Sequence, residues 1–212
     1  MQYWYVILVQ ELMSMHHAGT QPIRTKRLIL RRFTPADAAA AYHNWQTDPQ
    51  VTKYLTWPPY TDFAQAQERI AWVADQYAQP NFYYWAIQLA DQSAAVIGNI
   101  AVVRADENIR SLAIGYVSGQ AWWGHGYMPE TLRAVIDFLF TNTDVQRIEA
   151  THDVRNPNSG KVMAKAGMRK EGVLRQRGRN NTGVCDEAMY AVLRSDWTKK
   201  AAPSHGLSGS AS

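Results

Sequence analysis

Apolar positions along this chain switch between two periods. Runs with strand character lie at Lys26 to Phe33, Tyr83 to Leu89, Ala95 to Arg104, Ser111 to Ser118 and Arg147 to Val154, then around Met168–Arg177 and Val184–Leu193. Between them the spacing becomes helical. Leu132, Val135, Ile136, Leu139 and Phe140 follow the i, i+3, i+4, i+7, i+8 pattern of a buried helix face, with Pro129 as its first helical position. Thr34-Pro35-Ala36-Asp37 combines a capping hydroxyl, a proline and a first-turn carboxylate, and predicts a helix running to about Gln46. Further helices are predicted at about Asp62 to Ala78 and Pro157 to Ala166. An aromatic connector, Tyr54-Leu55-Thr56-Trp57-Pro58-Pro59-Tyr60, separates the first two. The order β-α-α-β-β-β-α-β-α-β-β predicts a mixed α/β layout over one sheet, without internal repeats.

The densest chemistry sits at Trp122-Trp123-Gly124-His125-Gly126-Tyr127-Met128-Pro129-Glu130, between a strand and a helix. Glycines there permit positive φ or a close ligand approach. A strand, a glycine turn and a helix N-terminus together offer backbone N–H groups and a positive dipole end to an anion. We expect a pyrophosphate there. The P-loop pattern is excluded, because no Gly-Lys-Ser/Thr follows. The dinucleotide fingerprint fails too, since residue 129 is Pro and the preceding strand is not the first. The ligand is therefore another phosphate-bearing molecule.

Composition adds bounds. The 212 residues, 46% hydrophobic and 19% charged, describe one globular domain. The net charge of +4 is concentrated: Lys161, Lys165, Arg169, Lys170, Arg175, Arg177 and Arg179 fall in one window that holds a single acid, Glu171. This basic segment suits an anionic ligand, and it is too short to favour nucleic acid. The single cysteine, Cys185, excludes an intramolecular disulfide and a cysteine-based zinc site, and fits a buried, inert thiol in a reducing cytoplasm. The apolar run Tyr3 to Val9 is too short to span a bilayer and lacks a basic n-region. An edge strand or an upstream start-site artefact fits better, with Met13 and Met15 as alternative starts. Residues 201–212, rich in Ser, Gly and Ala, read as disordered.

Asn156-Pro157-Asn158-Ser159, taken with the glycine turn, makes the pattern specific. From Thr25 to Trp197 the chain resembles the GNAT superfamily of acetyl-CoA-dependent N-acetyltransferases, in its RimJ/RimL-like branch. The resemblance rests on Arg27-Leu28-Ile29-Leu30-Arg31, Ile114-Gly115-Tyr116 and Trp122 to Tyr127. It continues through Asn156-x-x-Ser159, Val162 to Met168 and Leu193-Arg194-Ser195-Asp196-Trp197, all in family order. It implies one mixed, mainly antiparallel twisted sheet of about seven strands with helices on both faces. The domain would occupy 25–198, after an extension at 1–24 and before a tail at 199–212. It also implies that Trp123, Gly124, His125, Gly126, Tyr127 and Met128 hold the coenzyme A pyrophosphate. Tyr116, Val117 and Ser118 would pair through their backbone with the pantetheine arm, one N–H polarising the thioester carbonyl. Asn156 would meet the pantetheine amides, Ser159 the sulfur, and Lys161 a coenzyme phosphate. Tyr54, Trp57 and Tyr60 would line the acceptor site.

Two departures qualify that transfer. A small residue usual after Gly-Tyr is Met128 here. The tyrosine that protonates the leaving thiolate in many relatives falls at Met163, which has no proton to donate, leaving Ser159 or water as the acid. Read alone, Asn156 is also an N-cap before Pro157, Ser159 a first-turn residue, His125 a solvent-facing side chain, and the connector aromatics a core. The expected reaction is direct attack of a primary amine in a ternary complex, without an acetyl-enzyme or a metal. Asp106, Glu107, Glu149, Asp153, Asp186, Glu187 and a water chain all stand as candidate bases. The acceptor expected is a protein or peptide N-terminal α-amine, whose pKa is lower than that of lysine. Alternatives are a small amine, amino acid or antibiotic, and a non-catalytic acyl-CoA sensor. No membrane partner is expected, and a homodimer is left open.

Overall fold

The computed structural model describes residues 15–201. The edge strand expected at Tyr3 to Val9 and the tail beyond residue 201 lie outside the described residues. Eight strands form one sheet in the order β1-β2-β3-β4-β5-β6-β8-β7. They are β1 (Ile23–Arg24), β2 (Leu28–Arg31), β3 (Tyr84–Leu89), β4 (Val96–Asp106), β5 (Ser111–Ser118), β6 (Arg147–Asp153), β7 (Arg169–Asn180) and β8 (Gly183–Leu193). The strand that sequence patterning missed is β1, which at two residues is too short to carry a period. Residues 15–24 pack onto the sheet: Met15 is buried, and Thr20 Oγ1 donates to the Phe82 carbonyl at 2.9 Å.

Alternation along β3 explains the layering. Trp85, Ile87 and Leu89 point to one face, where they meet Leu132, Val135, Ile136 and Leu139 of α4 (Tyr127–Asn142) and Met163 of α5 (Pro157–Lys165). Ala86 points to the other face and joins a second core with Ala41, Trp45, Ile70 and Val73. That second layer comprises α1 (Ala38–Ala41), α2 (Pro49–Thr52) and α3 (Phe63–Gln76). One sheet with helices on both faces is the expected class. A last helix, α6, spans Arg194–Ala201. No helix among the described residues is long and apolar enough to cross a membrane.

Helix boundaries moved where local chemistry overrode periodicity. The expected helix from Pro35 to Gln46 is a 3-10 turn (Pro35–Asp37), then α1, then a π-helical segment (Tyr42–Gln46). Helix α4 begins at Tyr127, so Pro129 is its third residue and not its first. The proline is still accommodated, because the first four N–H groups of any helix lack intrahelical partners.

Every neighbouring pair of strands is antiparallel except β5–β6. Their parallel register stops at Ala113↔Glu149. Beyond it Ile114–Ser118 and Ala150–Asp153 have no ladder between them, and the sheet opens into a cleft.

Candidate active site

The cleft has a backbone wall. Gly119 N donates to Ile97 O on β4 at 2.9 Å, so two-residue alternation turns the polar groups of Val117 toward β4 as well. Tyr116 and Ser118 therefore direct their N–H groups into the opening. Val117 contributes its side chain, which packs against the second core.

At the head of the cleft the loop enters α4 through two left-handed glycines, Gly124 (φ +80°) and Gly126 (φ +77°). The N–H groups of Gly124, His125, Gly126, Tyr127 and Met128 have no acceptor among the described residues. Five unsatisfied donors in sequence at the N-terminus of a 16-residue helix are an arrangement able to receive an anion. The Met128 side chain is buried in the core, so its size does not obstruct the loop. Trp123 Nε1 donates to Ser118 O at 2.9 Å, tying the loop to the strand end.

Sequence reading missed the clamp beneath this loop. Arg27 Nη1 donates to the His125 carbonyl at 2.9 Å, and its Nε donates to Glu130 at 2.7 Å, with the guanidinium 4.7 Å from the Tyr127 ring centre. Burial opposes ionisation of Glu130, but the Thr25 hydroxyl and Arg27 outweigh it and hold this carboxyl below the usual range. An acid in the first turn of α4 is thus neutralised locally by Arg27.

The far wall is α5. Asn156 occupies its N-cap position, yet its side chain makes no capping bond. Ser159 Oγ lies 2.9 Å from Tyr116 Oη, and the phenol also donates to the Ser159 carbonyl at 3.1 Å. This bridge crosses the cleft on the α4/α5 face. Burial raises the Tyr116 pKa well above its ordinary value, against a smaller opposite effect of the Ser159 hydrogen bond. Met163 is buried core and offers no hydroxyl. Lys161 lies in a depression shared with His152, Lys170 and Tyr190, which neither Tyr116 nor Ser159 lines.

The connector lies over the opposite face. Trp57 and Tyr60 meet in a tilted pair with 5.4 Å between ring centres, and both are half-buried, as is Tyr54. Asn181, in the β7–β8 turn, holds this connector: its Nδ2 donates to Thr52 O at 2.9 Å and Trp57 O at 2.7 Å, and its N–H to Leu55 O at 3.1 Å. Below lies Asp153, whose carboxylate accepts from Arg155 and from Asn180 Nδ2. The Arg155 hydrogen bonds hold this carboxyl far below the usual carboxylate range. Cys185 is buried beside it, and burial pushes its thiol up.

Two predictions arise here. Asn181→Ala removes two side-chain hydrogen bonds that fix the connector, each worth about 1 kcal/mol. A KM for acceptor raised about tenfold, with the donor KM changed less than about twofold, is expected in initial-rate assays. Asp153, with its lowered pKa, stabilises the fold fully above about pH 4, the unfolded carboxylate value, and loses that contribution as pH falls. Asp153→Asn is expected to cost about 1–2 kcal/mol near neutral pH, a figure reduced because Arg155 is half exposed. The cost should vanish in acid, as read by denaturant melts across pH.

Against known proteins, residues 27–169 match the model described as an acetyltransferase (GNAT) domain. The chain belongs to the GNAT family. It is an acetyl-CoA-dependent N-acetyltransferase. An uncharacterised N-acetyltransferase of Bacillus licheniformis is 30% identical over 84% of this chain and 98% of its own length. The [ribosomal protein uS5]-alanine N-acetyltransferase of Escherichia coli is 26% identical over 83% of this chain and 92% of its own. Among solved GNAT folds, the ribosomal-protein-S5-alanine acetyltransferase of Vibrio fischeri superposes with a TM-score of 0.73 over 84% of this chain and 98% of its own, at 18% identity.

Proposed function

We propose that this GNAT domain acetylates the N-terminal α-amine of a protein or peptide, holding acetyl-CoA in the β5–β6 cleft. The single observation that carries the donor site is the continuity of unpaired donors. They run from the edge of β5 at Tyr116 and Ser118 to the Gly124–Met128 loop, with the unengaged Asn156 side chain opposite. A strand-like pantetheine arm would complete the sheet where β6 diverges, and the loop would take the pyrophosphate. Lys161, which lines a separate depression, is the weakest member of the expected set.

Acetyl-CoA supplies an activated thioester. The N–H of Tyr116 or Ser118 would stabilise negative charge growing on its carbonyl oxygen. Tyr116 and Ser159 present hydroxyls on the α5 side, and the raised pKa keeps the phenol protonated, with its hydrogen donated to the Ser159 carbonyl. Cys185, buried and with a raised pKa, is not available as a nucleophile, which supports direct transfer. For the acceptor, the support is the relative named for acting on the alanine of ribosomal protein uS5.

Thiol release from acetyl-CoA against N-terminal peptides, free amino acids, polyamines and aminoglycosides tests this reading. Turnover is expected with peptides, giving products acetylated at the α-nitrogen. Turnover confined to a small amine would replace the acceptor assignment, and none with any amine would defeat the functional reading.

A further inference from the structure

The face from which an amine reaches the cleft follows from the fold. On the α4/α5 side, Tyr116 Oη and Ser159 bridge the opening. On the other side the connector is tied to the β7–β8 turn by Asn181. Continuing the parallel register from Ala113↔Glu149 puts Val117 level with Asp153, and Asp153 is the register partner of Glu187 on β8. Tyr190 and Val192 pack with the α4/α5 core, so alternation along β8 sends Glu187 to the acceptor face.

The candidate bases separate once their partners are known. Asp106 accepts from the Asn108 N–H, and Glu107 from Met15 N and His17. Glu149 is paired with Arg104 and Arg147, Asp153 with Arg155 and Asn180, and Asp186 accepts from Gln176 N. Glu187 is half-buried and has neither a hydrogen bond nor an ion pair among the described residues. Its carboxylate rests over Gly178 of β7, where an added Cβ would collide with Oε1 and come within 2.7 Å of Cδ and 2.8 Å of Cγ. Gly178 has no left-handed φ, so it is glycine for space and not for backbone. The charged or titratable groups near it are Cys185 and the Asp153–Arg155 pair with Tyr54, while Arg175, Arg177 and Arg179 of β7 have no ion pair among the described residues.

We propose that Glu187 is the group that takes the proton from the acceptor ammonium, a role made possible by the missing side chain at Gly178. The assignment rests on the amine-acetyltransferase reading above. The ammonium gives one proton to the Glu187 carboxylate, and the freed nitrogen lone pair attacks the thioester carbon. A C–N bond forms as the C–S bond breaks. The second nitrogen proton balances the departing thiolate as a thiol, and Glu187 returns its proton to solvent.

The test compares wild type, Glu187→Gln and Gly178→Ala with the acceptor that wild type turns over best. Rates are measured from about pH 6 to about pH 10, a range spanning the free α-amine value. Glu187→Gln is expected to lower acceptor kcat/KM about 100-fold near neutral pH. The deficit should shrink as pH rises and solvent deprotonates the amine. Gly178→Ala displaces the Glu187 side chain from Cγ outward and meets no backbone atom at close range, so it should fold normally and show the same pH-dependent deficit at about tenfold. Coenzyme A affinity and melting temperature should stay near wild type in both. A wild-type pH profile in Glu187→Gln, or a loss of equal size at every pH, would overturn the assignment. Absence of wild-type turnover with any amine would instead defeat the underlying functional reading, and is seen before either variant is made.

Discussion

Gly126→Val should raise the KM for acetyl-CoA by at least about tenfold while leaving the protein folded. Gly126 caps α4 with φ +77° and ψ 11°, a conformation that costs a side-chain-bearing residue about 1–2 kcal/mol and a β-branched one more. The new side chain has room, since a Cβ there would meet only Arg27 Nη2 at 3.5 Å. The damage is therefore to backbone direction and not to packing. Relaxing φ turns the N–H groups of Gly126, Tyr127 and Met128 away from a common centre, and about 1.4 kcal/mol of lost binding is already tenfold. Acceptor KM should change little. An unchanged donor KM would mean that this loop does not hold the donor.

Gly98→Ala should strike the fold itself. Gly98 is the β4 partner of Ser118, and a Cβ on it would run into the Val117 carbonyl oxygen and lie 2.8 Å from Ser118 Cα. Both are backbone atoms, so no side-chain rotation relieves the clash, and the end of β5 must shift. Overpacking of this kind costs about 1–3 kcal/mol, and we expect the upper end. For a domain of this size the melting temperature should fall by roughly 5–10 °C. Because the shifted atoms belong to the wall of the cleft, coenzyme A affinity should fall in the same variant. A stable Gly98→Ala protein with full affinity would show that the β4–β5 approach is looser than the structure has it.

Much of this architecture is legible in the sequence because strong periods and strong punctuation coincide. Ser111–Ser118 appears with its expected bounds, and the α4 apolar set lands wholly in the core. The left-handed turn at Gly124 and Gly126 follows from residue type. Other features leave weaker traces. Helix α2 is announced by Asp48-Pro49, an N-cap followed by a proline, with Asp48 Oδ1 accepting from Gln50 N at 2.8 Å, but four residues carry no periodicity. The π-helical turn at Tyr42–Gln46, which packs against β4 and β5, has no sequence signature. The divergence of β5 from β6 is a property of the pair, and neither strand alone encodes where the ladder ends.

The site was legible in its backbone and less so in its side chains. The resemblance implicates Tyr116 through its main chain, yet its phenol bridges to Ser159 across the cleft. Arg27 lies within a recognised stretch, and its bond to the His125 carbonyl spans 98 residues of chain, beyond any local rule. Partnership also decides among the acids. Asp153 and Glu187 look alike as strand-end carboxylates, and only the structure shows the first locked by Arg155 and the second unpaired over Gly178.

Amide hydrogen exchange with and without coenzyme A tests the central claim, that the donor occupies the β5–β6 cleft. Slowed exchange is predicted at Tyr116, Ser118 and Gly124 to Met128, which have free N–H groups facing the proposed ligand, with Val117 unchanged because it already bonds toward β4. Protection confined to the depression between Lys161 and Lys170, with none along β5 or the glycine loop, would contradict the account.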